Sequence, residues 1–372
     1  MIYLSSLLSP HCKFYKLGRI FVLMAFQTEI TKWYFNNKRD LPWRNTKDAY
    51  VIWLSEIILQ QTRVEQGLPY FNRFLAAYPT VAAFANASEE QVLKLWQGLG
   101  YYSRGRNMLY TARQIQEKYD SKFPTTYNEL ILLKGIGEYT AAAISSFSAN
   151  ESKPVVDGNV FRVLSRYFGI ETPINSTAGK KQFMELAHQL IVGQQPSIYN
   201  QAIMEFGALQ CKPKSPLCGI CPLQAECFAR RNNLVDQLPV KEKKLKKRTR
   251  YFNYFYCVNE GKVLVKRRRA GDIWQELYDF PLIETSDNDQ YLQEEFITTV
   301  KNNFGPNSTI TLLDHKKHLL THQTIYVQFF ALDNYIINFN QNAEIKWVTF
   351  DEFDQLPQPK VITNFMSSYS VI

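Results

Sequence analysis

The chain has 372 residues, of which 45% are hydrophobic and 14% aromatic, and this composition suits two folded domains and argues against a disordered protein. Lys and Arg outnumber Asp and Glu by 43 to 34, which gives a formal net charge of +9. This charge favours a polyanionic partner over an acidic one. Charge alone does not identify nucleic acid, because many basic proteins bind none.

The first 23 residues differ from those that follow. Basic residues precede a short apolar run from Ile20 to Phe26, as in a signal peptide. No small-x-small cleavage pattern follows, and the run is too short to span a bilayer. We therefore expect neither export nor membrane insertion. Residues 1–23 are interpreted as a disordered leader or as the result of a mis-assigned start, with Met24 as the other candidate start.

From Phe26 to about Arg230, apolar residues recur at spacings of three and four, which predicts an almost wholly helical region. The first helix is expected at 26–37. Capping-box spacings at 88–91 and 126–129 mark the starts of two later helices.

A helix is also predicted from Asp48 to Gln61, and its broad apolar face surrounds Glu56. Burial among apolar side chains raises the pKa of a carboxyl group and keeps a proton on it near neutrality, which is what a general acid requires. The alternative is a Glu at the edge of the helix that meets water or an Arg.

The stretch 133–143 reads LKGIGEYTAAA and lies between two predicted helices, the second of which starts near Glu138. Gly135 and Gly137 lack a Cβ, so the backbone there can adopt positive φ and approach a ligand closely. The N-terminus of the following helix favours an anion. We interpret the stretch as a hairpin that binds a phosphate, and a plain turn between two helices is the alternative.

Asp157 follows this hairpin and precedes a helix expected from Val160 to Phe168. The hairpin and this Asp together resemble the helix-hairpin-helix DNA glycosylases related to endonuclease III. In those members that are also lyases, a Lys lies two residues after the second hairpin glycine. That position is Tyr139 here, and a phenol cannot form a Schiff base with the sugar. Tyr at this position is similar to the adenine glycosylase branch, the MutY family.

The string WLSEIILQQT around Glu56 is also similar to this family. By this resemblance, Glu56 protonates the departing adenine. Asp157 stabilises the oxocarbenium-like sugar, and Tyr139 and Asn159 position the two carboxylates.

Two further sequence strings resemble motifs that contact DNA in this family. The first is LPWR, which ends at Arg44, and the second is GLGYYSR, which contains Leu99 and Tyr101. The resemblance implies that Arg44 contacts the extruded base and that Gln61 fills or reads the space left in the base stack. Tyr101 would be wedged into the duplex with Leu99 beside it, and the flanking glycines favour an exposed loop over a core position for the Tyr.

Four cysteines form a short loop with gaps of six, two and five residues, at Cys211, Cys218, Cys221 and Cys227. Two disulfides are disfavoured because the chain lacks a convincing export signal and has a large core. Four Cys suit either zinc or an iron–sulfur cluster. The spacing resembles the loop that closes the catalytic domain in this glycosylase superfamily, which implies one [4Fe-4S] cluster. Base excision consumes no electrons, so the cluster is interpreted as structural and DNA-orienting.

After Arg231 the composition changes. The run from Lys241 to Arg250 has seven basic residues and one Glu, which is typical of a solvated linker and also suits contact with phosphates. Alternating patterns then predict an α+β region. The strands are expected at 251–258 and 263–266, forming a hairpin about Glu260 and Gly261, and at 324–332 and 344–349.

The strings GDIW at 271–274 and YDFP at 278–281 resemble the Nudix-like domain of adenine glycosylases. The glycine-led box of a working Nudix hydrolase is missing between Gly271 and Gly305. We therefore expect this domain to recognise a lesion and not to hydrolyse nucleotides.

The lesion reader of the family is a loop with the pattern Phe-Ser-His. The corresponding residues here are Leu320, Thr321 and His322, so the hydroxyl and the imidazole are kept while the aromatic ring is lost. The alternatives are surface residues without a special role and a metal site from His318 and His322. The metal site is disfavoured because no Cys or carboxylate stands at ligand spacing.

The sequence thus predicts a mainly α helix-hairpin-helix catalytic domain at 24–231, with its iron–sulfur loop at 211–227, and a basic linker at 232–250. An α+β Nudix-like domain follows at 251–372. The resemblance implies a monofunctional DNA glycosylase that hydrolyses the N-glycosidic bond of adenine opposite 8-oxoguanine, and more weakly opposite G, in base excision repair. Its partner would be duplex DNA with such a mispair. It would act as a monomer in the cytoplasm, at the nucleoid in a bacterium.

Three alternative functions remain. A bifunctional endonuclease III-like glycosylase and AP lyase is disfavoured by Tyr139 and by the extra domain. A non-catalytic helix-hairpin-helix DNA-binding protein would need neither Glu56 nor Asp157. A nucleotide hydrolase is disfavoured by the missing box.

Overall fold

The computed structural model describes residues 10–242, 247–336 and 344–369, with side chains from 23 to 368 within those ranges. The chain forms two compact units. The described part of the first, the helical unit, is residues 10–85 and 110–242. The second, the mixed unit, joins residues 86–109 to the described residues after 246. Segment 86–109, expected in the catalytic domain, thus packs with the C-terminal residues.

Twelve helices occupy the described residues up to 242. They are α1 (Pro10–Asn37), α2 (Ala49–Ile58), α3 (Val64–Ala77), α4 (Val81–Ala85), α5 (Glu89–Trp96), α6 (Ser103–Lys118), α7 (Tyr127–Leu130), α8 (Glu138–Ala149), α9 (Gly158–Phe168), α10 (Thr177–Ile191), α11 (Pro196–Leu209) and α12 (Phe228–Arg231). The prediction of an almost wholly helical region is confirmed. Within the described ranges, no helix is long and apolar enough to cross a membrane.

Several helix boundaries differ from those expected. Helix α1 begins at Pro10 and not near Phe26, so part of the expected leader is helical, while residues 1–9 lie outside the described residues. Helix α2 ends at Ile58, which leaves Gln61 in the following turn with a left-handed φ of 57°. The capping box at 88–91 is present. At 126–129, Thr126 caps the helix by accepting from the Glu129 N–H, but the Glu129 carboxylate accepts from the Thr126 hydroxyl and not from the Thr126 N–H, so the capping box is incomplete.

The core of the helical unit forms where α1, α9, α10 and α11 meet. Its buried side chains include Phe26, Val163, Phe183 and Phe206. Helix α9 has a strongly amphipathic sequence, and this lets it bury one face against α11. The two helices approach closely at Gly207, because a Cβ there would lie 2.6 Å from the Cβ of Asn159.

The mixed unit contains two four-stranded sheets. Its strands are β1 (Arg248–Tyr256), β2 (Val258–Asn259), β3 (Lys262–Arg267), β4 (Tyr278–Asp279), β5 (Leu282–Thr285), β6 (Thr309–Leu319), β7 (Gln323–Asp333) and β8 (Ile345–Thr349). One sheet has the order β5-β1-β7-β6, and β1 and β7 run parallel in it. In the other, β3 pairs with β2, β4 and β8. Three helices pack with the strands: α13 (Glu294–Phe304), α14 (Phe350–Gln355) and α15 (Lys360–Tyr369).

Two expectations about the mixed unit are wrong. The hairpin about Glu260 and Gly261 joins β3 to the short β2, whereas β1 pairs with β5 and β7 in the other sheet. Arg250 does not belong to a solvated linker. It lies in β1, is buried, and forms ion pairs with Asp272 at 2.6 Å and Glu284 at 2.6 Å. Residues 243–246 of the basic run lie outside the described residues.

Gly207→Ala is expected to lower the free energy of unfolding by about 1–3 kcal/mol, because over-packing a tight contact forces the backbone to shift. The added Cβ would meet the Asn159 Cβ at 2.6 Å and its carbonyl oxygen at 2.9 Å. Urea unfolding measures the effect. Gly158→Ala is the matched control in the same contact region, since a Cβ there meets no atom within 4 Å. Equal free energies of unfolding for the two variants would show that α9 and α11 can move apart to accommodate the Cβ without loss of stability.

Candidate active site

A cavity of about 920 Å³ opens in the helical unit. Three parts of the chain line it: residues of 39–65 around α2, the hairpin and the start of α9 within 135–161, and residues 201–209 of α11. These parts bring Glu56, Tyr139 and Asp157 to the same cavity, although they are far apart in sequence.

Glu56 lies on α2 and faces this cavity. Its Oε2 accepts a hydrogen bond of 3.0 Å from the Tyr139 hydroxyl. Burial raises the pKa of Glu56 to about 7, the hydrogen bond from Tyr139 opposes this rise, and the charge of Asp157 adds to it. The carboxyl group can therefore hold a proton at neutral pH, as the sequence predicts for a general acid.

Asp157 is the N-cap of α9. Its Oδ1 accepts from the backbone N–H groups of Asn159 at 2.9 Å and Val160 at 2.8 Å, and its Oδ2 accepts from the Asn159 side chain at 2.7 Å. Burial raises the pKa of Asp157, while these hydrogen bonds and the charge of Arg162 oppose the rise. The result is a desolvated carboxylate with a fixed orientation at the positive end of a helix.

Arg162 links this carboxylate to the cysteine loop. Its Nη2 donates to Asn159 Oδ1 at 2.9 Å and to the Gly207 carbonyl at 2.6 Å, and its Nε donates to the Cys211 carbonyl at 2.7 Å. Asn159 orients Asp157, and Arg162 connects this Asn159 to Cys211, the first residue of the loop.

Arg44 reaches the cavity wall but is not free there. Its guanidinium forms two hydrogen bonds with Glu205, at 2.9 and 2.7 Å, and Arg39 forms two more at the same distances. Burial opposes ionisation, yet the hydrogen bonds from Arg44 and Arg39 lower the pKa of Glu205 to about 2. Our sequence analysis missed Glu205 and Arg39. The signal was present, because Glu205 is a carboxylate among apolar residues of a helix, just as Glu56 is.

The hairpin has the predicted position between α7 and α8, with one difference. Gly135 has a positive φ of 78°, but Gly137 is extended, with φ −91° and ψ 179°, and is the N-cap of α8. A Cβ at Gly137 would meet nothing within 4 Å. The fold itself therefore does not require glycine at 137, and only Gly135 needs the left-handed backbone.

The two residues predicted to enter the duplex both have left-handed backbones, with φ 57° at Gln61 and 50° at Tyr101. Such values are uncommon outside glycine and indicate a locally strained chain. Tyr101 is 38% exposed, as predicted. Leu99 is only 7% exposed, and its contact with DNA beside Tyr101 stays a prediction. Leu99 packs in the core because the glycines on either side turn the chain at Tyr101 outward.

The lesion-reading residues predicted from the sequence lie in the turn between β6 and β7. Thr321 and His322 are exposed. The turn is closed by the Leu320 N–H, which donates to the Gln323 carbonyl at 2.9 Å, and the His322 carbonyl accepts from the Arg248 N–H at 3.3 Å.

None of the four cysteines of the loop forms a disulfide, and Cys211 and Cys227 each form a hydrogen bond with Arg166 near the end of α9. Burial, together with the neighbouring Cys211, Cys227 and Cys218, raises the pKa of Cys221 to about 12. Four thiolates so close to one another require a cationic centre. The loop also packs tightly, since a Cβ at Gly169 would meet the Phe228 ring at 2.5 Å.

Zinc and an iron–sulfur cluster make different demands on such a loop. One zinc ion draws four sulfurs to about 2.3 Å from a single point. In a [4Fe-4S] cluster, each thiolate binds its own iron and the sulfurs stay further apart. Four Cys in one short loop can supply the ligands of either group.

Comparison with known proteins agrees with this geometry. The sequence model of the HhH-GPD superfamily of base excision DNA repair proteins matches residues 54–190. The iron–sulfur binding domain of endonuclease III matches 211–227, and the NUDIX domain matches 253–368. The predicted fold class and the [4Fe-4S] cofactor are thereby confirmed.

Relatives and solved structures extend the match. The chain is 32% identical over 349 residues to an adenine DNA glycosylase of Buchnera aphidicola subsp. Baizongia pistaciae, covering 92% of this chain and 96% of the relative. It is 42% identical over 223 residues to the Homo sapiens adenine DNA glycosylase, covering 58% of this chain and 41% of that protein. A thermostable thymine-DNA glycosylase structure matches with a TM-score of 0.53 and 27% identity, covering 56% of this chain and 97% of that one. The chain therefore belongs to the adenine DNA glycosylase family, hydrolases of base excision repair that remove adenine from DNA.

Proposed function

We propose that this enzyme is a monofunctional glycosylase that removes adenine paired with 8-oxoguanine, and more weakly adenine paired with G, from duplex DNA. The observation that carries the proposal is the pairing of Glu56, whose pKa is raised to about 7, with an oriented Asp157 in one cavity, beside a Tyr in place of a nucleophilic Lys. We further propose that it acts as a monomer in the cytoplasm, at the nucleoid in a bacterium.

The first step is extrusion of adenine from the duplex, because the atoms that react are inaccessible in the base stack. Extrusion costs about a few kcal/mol. Arg44 is held by Glu205 at the cavity wall, so the guanidinium that contacts the base has a fixed position before adenine enters. Gln61, in its left-handed turn, fills the space that adenine leaves. The hairpin amides around Gly135 and Gly137 hold a phosphate of the backbone.

The second step breaks the bond between the sugar C1′ and adenine N9. Glu56 donates its proton to N7, and the electron pair of the glycosidic bond moves onto the base, which leaves as neutral adenine. The sugar develops oxocarbenium character, and the carboxylate of Asp157 stabilises this positive charge. Water adds at C1′, loses a proton, and completes an abasic site.

Tyr139 decides what happens next. In the lyase branch of the superfamily, a Lys at this position attacks C1′ and the strand is cut by β-elimination. The Tyr139 hydroxyl instead donates to Glu56, and burial raises the pKa of Tyr139 far above its usual value. A neutral, hydrogen-bonded phenol is a poor nucleophile. The reaction therefore stops at hydrolysis.

Adenine is a normal base of DNA, so the enzyme must also recognise the oxidised base opposite it. The exposed Thr321 and His322 offer a hydroxyl and an imidazole for hydrogen bonds to the oxidised base. The cluster supplies a rigid, cationic centre for the loop 211–227. Arg162 ties the backbone of that loop to Asn159 and so to Asp157.

A direct test uses duplexes that carry A opposite 8-oxoguanine, A opposite G, and thymine glycol, scored before and after alkali. The enzyme is expected to release adenine from the first fastest and from the second more slowly. The strand should stay intact until alkali is added, and borohydride should trap no covalent adduct because no amine attacks C1′.

Two variants control this experiment. Glu56→Gln keeps the shape of the side chain but has no proton to give, so excision should fall by orders of magnitude while duplex binding persists. Glu117→Gln changes an exposed carboxylate of α6 and should have no effect. Prompt strand scission with a trapped adduct would contradict the monofunctional mechanism.

The pH dependence of single-turnover excision should report Glu56. The acid must be protonated, and its pKa is about 7, so the rate should be level below that pH and fall about tenfold per unit above it. Tyr139→Phe removes the hydrogen bond that lowers this pKa, so the descending limb should move to higher pH. A limb that stays in place or moves to lower pH would show that another group is the acid.

Thr321→Ala combined with His322→Ala should reduce the preference for A opposite 8-oxoguanine over A opposite G by about one to two orders of magnitude, because buried hydrogen-bond partners on the lesion are lost. Activity on A opposite G should change little. His315→Ala, which alters an exposed residue of β6, is the control. An unchanged ratio of single-turnover rates would mean that the reader lies elsewhere.

A further inference from the structure

The loop 97–102, which carries Tyr101, has an unusual backbone. Three of its residues lie in the left-handed region, with φ 98° at Gly98, 74° at Gly100 and 50° at Tyr101. Glycine adopts such angles readily, whereas Tyr does so only under strain. Some surrounding structure must therefore hold the loop in the conformation that exposes the Tyr101 ring.

Part of this support comes from within the neighbouring helices. The Trp96 indole donates to the Gly100 carbonyl at 2.9 Å, and Arg104 Nη2 donates to the same oxygen at 3.3 Å. The Arg104 guanidinium also lies over the Tyr101 ring, 5.5 Å from its centroid. These contacts fix the carbonyl before Tyr101 and the back of its ring.

The other part comes from a C-terminal segment, Leu356–Pro359, within the same mixed unit. Gln358 lies between Pro357 and Pro359, and proline has no N–H. Within 357–359, the N–H of Gln358 is therefore the one backbone group that can donate a hydrogen bond. This N–H donates to the Gln97 side-chain oxygen at 3.1 Å. Gln358 is 2% exposed. The Pro357 carbonyl accepts from the Tyr278 N–H at 2.8 Å, which anchors the segment to β4.

Tyr102 joins the two parts. Its hydroxyl accepts from the Gly98 N–H at 3.3 Å and donates to the Gln358 carbonyl at 3.3 Å. One phenol therefore fixes the first left-handed residue of the loop and ties it to the C-terminal segment. The side chain is 6% exposed, so these bonds form out of water, where they are hardest to replace.

Lys94, about one helical turn before the loop, makes a second connection to the C-terminal residues. Its ammonium group contacts the Asp354 carbonyl and donates to the Leu356 carbonyl at 3.3 Å. These carbonyls lie at the C-terminal end of α14, where unpaired carbonyls and the negative end of the helix dipole favour a cation. Helix α5 and the loop after it are thus joined to the C-terminal residues at several points.

The loop also meets the lesion-reading turn directly. The Tyr101 hydroxyl and the Thr321 hydroxyl form a hydrogen bond. Movement of that turn onto a lesion would therefore act on Tyr101 at its tip, while Gln358 and Tyr102 hold the base of its loop.

We propose that Tyr102 and Gln97, through the Leu356–Pro359 segment, are positioning residues that couple insertion of Tyr101 into the duplex to recognition of 8-oxoguanine by the C-terminal turn. This inference rests on the proposed function, since it explains how lesion contact is converted into preference. Contact with 8-oxoguanine holds the turn on DNA, where Thr321 supports the Tyr101 hydroxyl, while Gln358 holds the base of the loop through Gln97 and Tyr102. Without the lesion, Tyr101 is inserted with less support.

The test is Tyr102→Phe, which keeps the ring and removes both hydrogen bonds, with Gln97→Ala as a second variant. Each should lower the preference for A opposite 8-oxoguanine over A opposite G by about three- to tenfold, as expected for loss of one or two buried hydrogen bonds. Combined with Thr321→Ala, Tyr102→Phe should lower the preference no further than the larger single loss, because the residues act in one chain of contacts. Tyr291→Phe removes a hydroxyl elsewhere in the unit and should leave the preference intact.

A second measurement reports Tyr101 itself. A 2-aminopurine placed next to the base opposite adenine should brighten when the full-length wild type inserts Tyr101. The change should be smaller in Tyr102→Phe and smallest in Tyr101→Ala, with thermal stability close to that of the wild type. Equal brightening in wild type and Tyr102→Phe, or additive losses of preference, would overturn the coupling. A wild type with no preference for 8-oxoguanine in excision would instead overturn the proposed function, and the fluorescence comparison on A opposite 8-oxoguanine would still decide the coupling.

Discussion

The hydrogen bonds that Asp157 accepts at the start of α9 are the interaction on which the helical unit depends. They satisfy two backbone donors that the helix leaves open, and they fix the direction of a buried carboxylate. The same helix supplies Arg162, whose bonds reach the first residue of the cysteine loop, and it passes α11 at Gly207 with no space to spare. Packing, cofactor loop and reactive group are therefore parts of one rigid assembly.

The two acids of the cavity differ because their surroundings differ. Asp157 has several donors around its oxygens, whereas Glu56 has one phenol and a largely apolar environment. Burial raises both pKa values, and the rise is opposed by the donors around Asp157 and by the phenol beside Glu56. Similar side chains can therefore serve opposite roles, one as a proton donor and the other as an anion beside a developing cation.

Sequence reasoning predicts what is local. The apolar surroundings of Glu56, the Asp at the start of α9 and the cysteine loop follow from short patterns with a chemical meaning, whereas the choice of residues 320–322 rests on resemblance to a family. It fails where distant parts of the chain decide the outcome. The pairing of β1 with β7 and the association of 86–109 with the C-terminal residues depend on such contacts. Strand β6 escaped prediction because its mostly exposed residues show no alternation. Glu205 was overlooked because its meaning depends on two Arg residues that lie more than 150 positions away.

The Glu205 clamp keeps its charge over the whole range in which Glu56 titrates. The pKa of Glu205 is about 2 and that of Glu56 is about 7, and the two Arg partners hold their protons throughout. Acidification from neutral pH therefore adds a proton at Glu56 while the ion pairs that Arg39 and Arg44 form with Glu205 stay intact.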